Sequence, residues 1–282
     1  SRAAVWKRIE HLRLQGLAIE AVEPQGYALP HPTPLLDAVK ILEAMPAAQR
    51  RLIAGLHIDL ETESTQRNAL RHTAPEQGVE VWLAECQSAG QGRRGKLWQS
   101  PPLSNIYCSL NRRFACSIAA LSGFSLAVAV ILAEALQAFS ADRFSVKWPN
   151  DIWLDGRKCA GLLIQVRGEA GGPCDVTVGF GVNVLMTELA GRGIDQPWTA
   201  LARHSGQELD RNLILAKLLD EMLSGFEHYE STGLPGFIER WRALDGLKSY
   251  ATIPEVRRAF TRALVQDRNA GIRTQAIDVL TS

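Results

Sequence analysis

The apolar positions of this chain change period along its length: helical spacing in some stretches, strict alternation in others. Residues 1–14 predict a helix, with Val5, Ile9 and Leu12 on one face, Ser1 as a candidate cap and Gly16 as a stop. Two short extended runs follow, 17–23 and 26–29, separated by the turn signal Pro24-Gln25-Gly26. Pro30, Pro32 and Pro34 predict a stiff linker, and 35–43 a helix ending before Pro46. Strands are expected over 52–59, 78–85 and 105–111; in the last, Tyr107 and Ser109 lie on the face opposite Ile106, Cys108 and Leu110. The apolar density of 119–139 predicts a central helix. Further strands are predicted over 143–147, 157–166 and 175–184, the second entered through an Asp155-Gly156 hairpin turn. A short helix over 199–204 precedes a long one over 211–229, which Asp210 caps and whose apolar residues keep helical spacing. Another short helix is predicted over 235–244.

Strands mixed with helices over 282 residues predict an α/β (α+β) fold in one large or two modest domains. With 31 basic and 30 acidic side chains the net charge is +1, so any anion site must be local rather than a property of the whole surface. The apolar stretch near 121–139 contains Ser122, Ser125 and Glu134, which makes it a core helix rather than a membrane span, and no secretory signal opens the chain. The five cysteines are odd in number and show no metal-ligand spacing, which predicts free thiols in a reducing cytoplasm.

The chemistry concentrates in residues 87–98. Gly90, Gly92 and Gly95 alternate with Arg93, Arg94 and Lys96, so the stretch reads as a loop closing over an anion such as a phosphate, or as a solvated basic turn. Glu63-Ser64-Thr65-Gln66 reads as a strand-to-helix corner, its hydroxyls either capping the helix or facing a ligand. Lys147-Trp148-Pro149-Asn150-Asp151 sets polar groups among apolar ones, where they need partners. Lys158 before Ala160-Gly161, and Asn183 after Gly179-Phe180-Gly181-Val182, read either as ordinary strand ends or as ligand contacts.

These blocks, in this order, resemble those of biotin protein ligases, over roughly residues 1–250. The combination of Lys147-Trp148-Pro149-Asn150-Asp151 with Lys158-Cys159-Ala160-Gly161 is far more specific than any single glycine loop. The resemblance implies a mixed β-sheet backed by helices, of the class II synthetase and biotin–lipoate ligase type. It implies activation of biotin by ATP with Mg2+ to biotinyl-adenylate, then transfer to a lysine of the biotin carboxyl carrier protein of acetyl-CoA carboxylase. It makes Ser64, Thr65, Gln66 and Gln87 biotin contacts, and assigns Gln91, Gly92 and Arg93 to the loop over the adenylate. Lys158 resembles the lysine that reaches the biotin carboxylate and the bridging phosphate, while Trp148, Asn150, Asp151 and Asn183 resemble the nucleotide and magnesium side. Arg93, Lys158 and Asp151 are the candidate catalytic residues, Asp151 as proton acceptor or orienter. No protein metal ligand is assigned; magnesium would come through the phosphates. A lipoate-type ligase, an inactive fragment and a DNA-binding repressor are the competing readings.

The sequence departs from the resembled pattern in three places. Gln91 stands where the bacterial loop carries an arginine, so one cation is lost. Residues 1–32, a basic helix and small hairpin, resemble the recognition helix and wing of a winged helix-turn-helix without the helices that would precede them, which argues against DNA binding. Residues 33–250 form the expected catalytic domain, and 251–282 resemble one HEAT-type helical repeat where the family carries a small SH3-like domain. The resembled repressing type dimerises through its catalytic sheet, so a homodimer is the implied assembly.

Overall fold

The computed structural model describes residues 2–244, except 15, 18, 25, 30–32, 148, 149 and 170. The expected HEAT-like tail over 251–282, the first part of the proline linker, and Trp148 and Pro149 lie outside the described residues. The chain opens with helix α1 (Arg2–Leu14) and an antiparallel two-stranded sheet of β1 (Glu20–Val22) and β2 (Gly26–Ala28). Helix α1 buries none of its residues, and two of its arginines face carboxylates: Arg8 meets Glu61 at 3.4 Å and Arg13 meets Glu10 at 2.6 Å.

The rest is built on one seven-stranded mixed sheet, flanked by α2 (Ala38–Ala44), α3 (Ala47–Arg50) and α4 (Thr65–Leu70) from the first half of the chain. The strands are β3 (Ile53–Asp59), β4 (Val79–Ala84), β5 (Ile106–Phe114), β6 (Phe144–Lys147), β7 (Asp151–Leu154), β8 (Arg157–Gly168) and β9 (Cys174–Val182). Their order is β3-β4-β5-β9-β8-β7-β6, with β3 and β4 parallel and the other pairs antiparallel. Asp155 and Gly156 both take positive φ in the turn between β7 and β8, as the hairpin signal requires.

Successive side chains of a strand point to opposite faces, and here the two faces differ in kind. Ile106, Cys108 and Leu110 of β5, Val176, Val178 and Phe180 of β9, and Ala160 and Leu162 of β8 join the apolar core. That core is completed by α5 (Phe124–Leu136), α6 (Arg211–Thr232) and α7 (Pro235–Ala243). The other face carries Ser109, Gly161, Gly179 and Gly181 and stays open beneath α4 and the glycine-rich loop. Burying apolar surface is worth about 25 cal/mol per Å2, so the closed face holds the fold and the open face is available to a ligand.

Several boundaries shift from the expected ones. Helix α2 starts at Ala38 because Asp37 caps it, accepting from the N–H groups of Val39 and Lys40 at 2.8 and 3.2 Å. The stretch expected as one helix over 119–139 is broken at Gly123, which takes φ +81° and would clash with Leu234 Cδ2 at 2.5 Å if it carried a Cβ. Only a 3-10 turn, Leu201–Arg203, forms where 199–204 was expected to be helical.

All five cysteines are free thiols. Burial pushes the Cys159 thiol up to about 12 and holds Cys108 well above the ordinary range, so neither supplies thiolate at neutral pH.

One buried ion pair ties the first helices to the sheet. Arg211 donates to Glu85 Oε2 at 2.7 Å, to the carbonyl of Pro34 at 2.9 Å and to that of Asn105 at 3.2 Å. Glu85 Oε1 accepts from the Leu36 N–H at 2.6 Å. Removing one partner leaves the other charge buried, so Arg211→Met should cost about 3–5 kcal/mol in urea unfolding. Glu85→Leu added to it should recover part of the loss; no loss in the single variant would contradict this role.

Candidate functional site

The open face becomes a cavity of about 450 Å3 where α4, the loop over 87–98 and strands β5, β7, β8 and β9 meet. Its two ends differ in charge. At the α4 end the lining groups are neutral and joined by hydrogen bonds. Gln87 Oε1 accepts from the Thr65 N–H at 2.9 Å, and its Nε2 donates to Ser100 Oγ at 3.0 Å. Thr65 Oγ1 lies 2.9 Å from Ser109 Oγ, which donates to Gln66 Oε1 at 3.3 Å. Gln66 Nε2 donates to Gln165 Oε1 at 3.0 Å, strapping α4 to β8 across Gly179. Ser64 precedes α4, yet its hydroxyl makes no cap bond and has no partner, although it is buried. A buried hydroxyl facing a cavity with its bonds unspent is matched to a polar ligand.

The opposite end is cationic. Arg93, Arg94, Lys96, Lys147 and Lys158 line it, against the single carboxylate of Asp151. Lys158 gets there through a β-bulge. Ile152 pairs with Ala160, but Trp153 pairs with Lys158, so β8 carries one extra residue opposite β7. Cys159 and Ala160 therefore both enter the core, and Lys158 turns to the open face. Its Nζ lies 2.9 Å from Asp151 Oδ1. Lys147 Nζ sits 4.0 Å from the centre of the Trp153 ring.

The loop is shaped by its own backbone. Gln91 pairs with Leu97, and the Gly92 N–H donates to the Lys96 carbonyl at 2.7 Å. Arg94 and Gly95 take φ of 55° and 75° at its tip, which turns the basic side chains around the bend. Arg93 reaches across the cavity to Asn150 Oδ1 at 3.4 Å, while Asn150 Nδ2 donates to the Leu162 carbonyl at 2.6 Å. Trp98 then lays its indole on the sheet. A Cβ at Gly181 would meet the ring at 2.5 Å and one at Gly161 at 3.2 Å. The Trp98 Nε1 is buried without a partner.

The structure thus brings together Ser64, Thr65, Gln66, Gln87, Gln91, Gly92, Arg93, Asn150, Asp151 and Lys158 around one cavity. Trp148 lies outside the described residues. Asn183 is not among the residues lining this cavity: it is buried, and its amide donates to the Thr199 carbonyl at 3.1 Å. Sequence reasoning missed Ser109 and the Trp98 platform. The signal for Ser109 was its place on the polar face of β5; the signal for Trp98 was the pair Gly161 and Gly181, whose bare backbone lets something large lie close.

With this geometry in hand, the comparisons are direct. The model of the Biotin/lipoate A/B protein ligase family matches residues 59–183, the segment from the end of β3 to just past β9. The "Bifunctional ligase/repressor BirA" of Salmonella typhimurium is 36% identical over 245 residues, 87% of this chain and 74% of that protein. The "Biotin--[acetyl-CoA-carboxylase] ligase" of Paracoccus denitrificans is 38% identical over 133 residues, 46% of this chain and 55% of that protein. The solved biotin protein ligase from Aquifex aeolicus, in complex with biotin and ATP, superposes with a TM-score of 0.56 at 24% identity, covering 67% of this chain and 77% of its own, a likeness of fold. The chain belongs to the biotin protein ligase family.

The Trp98 platform predicts a specific coupling. Gly181→Ala should cost about 1–3 kcal/mol by overpacking against the indole. In a Trp98→Ala background the same substitution should cost little, and equal costs in the two backgrounds, read from urea unfolding, would refute the contact.

Proposed function

We propose that this chain activates biotin with ATP to biotinyl-5'-AMP and passes the biotinyl group to a lysine of a biotin carboxyl carrier protein. The observation that carries the reading is the two-ended cavity: neutral polar groups at one end, the Ser64 hydroxyl among them unspent, and clustered cations at the other. Biotin is a neutral ureido ring joined to a carboxylate, and that polarity matches the cavity end to end.

In the first step a biotin carboxylate oxygen bonds to the α-phosphorus and pyrophosphate leaves. Two anions must approach each other, so the positive field of Lys158, Arg93, Arg94, Lys96 and Lys147 lowers the barrier. Lys158 is held in reach of both anions, with Asp151 orienting its ammonium. Mg2+ arriving with ATP would neutralise phosphate charge. Asp151 is the single carboxylate among the lining residues and already faces Lys158, so the phosphates would supply most of the ligands of the ion. In the second step the carrier lysine, as a free amine, attacks the acyl carbon and AMP leaves. The adenylate is a mixed anhydride that water destroys, and a loop lying over it keeps water out.

The carrier is the protein partner we propose, as the name of the Paracoccus relative indicates for that enzyme. Five free thiols support a cytoplasmic location, and fractionation finding the chain elsewhere would refute it. Among the described residues no helix is long and apolar enough to cross a membrane.

For DNA, the repressor part of the Salmonella relative's name bears on α1. With Arg8 and Arg13 facing carboxylates, we propose no specific operator binding by the chain. A gel shift at low salt with a biotin-operon operator fragment should show only non-specific retention; a discrete, competitor-resistant band would refute this.

Two measurements test the ligase reading. Biotin-dependent exchange of labelled pyrophosphate into ATP should be present, and titration should show biotin bound more tightly than lipoate; the reverse preference would reject the reading. Arg93→Ala should fold normally, retain a reduced exchange activity and release adenylate at least about tenfold faster, seen as modification of bystander proteins. Retention of adenylate equal to the parent's would remove Arg93 from the closing loop.

A further inference from the structure

Lys158 stands at a bulge, where its ladder to β7 is interrupted. A segment outside the sheet holds its backbone instead. The Lys158 N–H donates to the Pro197 carbonyl at 3.0 Å, and the Lys158 carbonyl accepts from the Thr199 N–H at 2.9 Å, a parallel bridge centred on Trp198.

Thr199 is the hub of that segment. It is fully buried, and each of its polar groups is engaged. Its carbonyl accepts from Asn183 Nδ2 at 3.1 Å, and its Oγ1 lies 2.8 Å from His204 Nε2. His204 Nδ1 lies 2.7 Å from Asp142 Oδ2. A carboxylate can only accept, so Nδ1 carries a proton; Nε2 exchanges a hydrogen bond with the Thr199 hydroxyl, which can serve as donor or acceptor. Neither His204 nor Asp142 lines the cavity. Asp142 is half exposed, whereas the histidine it orients is largely covered.

We propose that Thr199, His204 and Asp142 form a positioning relay for Lys158, taking the place of the ladder bonds that the bulge removes. The relay holds the 197–199 segment against the backbone of Lys158 and so sets where its Nζ stands relative to Asp151. Asn183 serves the same relay through the Thr199 carbonyl. The inference rests on the reading of the cavity as an adenylate-forming site, but one arm of its test does not.

The test compares Thr199→Ser, Thr199→Val and Asp142→Ala, with Glu188→Gln as a control, since Glu188 pairs with Arg203 next to the relay and is exposed. The first readout is the acetylation rate of Lys158 in the ligand-free protein, followed by mass spectrometry against the other lysines. The second is kcat and KM for biotin-dependent pyrophosphate exchange. Thr199→Val and Asp142→Ala should speed Lys158 acetylation several-fold and lower kcat about tenfold, the scale of a small misplacement, with the KM for ATP within about twofold. Thr199→Ser, which keeps the hydroxyl, and Glu188→Gln should match the parent. If Thr199→Val fails to fold, Asp142→Ala decides alone, because its carboxylate is half exposed. Acetylation and kcat both within about twofold of the parent in Asp142→Ala would overturn the relay. A parent without exchange activity would reject the ligase reading, while the acetylation arm would still judge the relay.

Discussion

The structure depends on the alternation of side chains along β5, β8 and β9. Every second residue must face the helices, and there the chain places Val, Leu, Ile and Phe. Among the residues between them are Ser109, Gly161, Gly179 and Gly181, which line the cavity. Glycine on that face costs backbone entropy but leaves the sheet bare enough for an indole and a ligand to lie on it. Core and cavity are thus one pattern seen from opposite sides. The closed face supplies the rigidity that a positioned site needs.

The electrostatics follow from what covers the open face. At one end α4 and β5 supply hydroxyls and amides already bonded to each other, which holds their orientations before any ligand arrives. At the other end five cations share one carboxylate, so an anion enters a field that is already uncompensated. Gln91 adds no charge to this field, and its backbone bridges to Leu97. The loop keeps its shape because that shape rests on backbone pairing and on positive φ at Arg94 and Gly95.

Much of this was legible in the sequence, and the exceptions have physical causes. The opposite facing of Ser109 and Cys108, the long helix capped by Asp210 and the hairpin at Asp155-Gly156 follow from period and turn chemistry, and each is present. The break at Gly123 did not show, because apolar density continues across it and the cause is a distant side chain, Leu234. The placement of Asn183 away from the cavity was not readable either, since its partner Thr199 comes from a segment without regular structure. Lys158 is the sharpest case. Counting along an ideal strand from Ala160 and Leu162 would send it into the core, and the extra residue that reverses its direction is visible only in the pairing with β7.

That bulge also limits how the chain can change with descent. Loop residues can be exchanged one for another, because what they contribute is charge on a backbone frame. The irregular pairing of β8 between its hairpin turn and Gly161 has no such freedom. Straightening the strand with Cys159 retained would set Cys159 opposite Trp153 and turn the Lys158 ammonium toward the apolar helices. What is fixed in this short stretch is therefore an irregular pairing, among side chains that, the lysine excepted, look interchangeable.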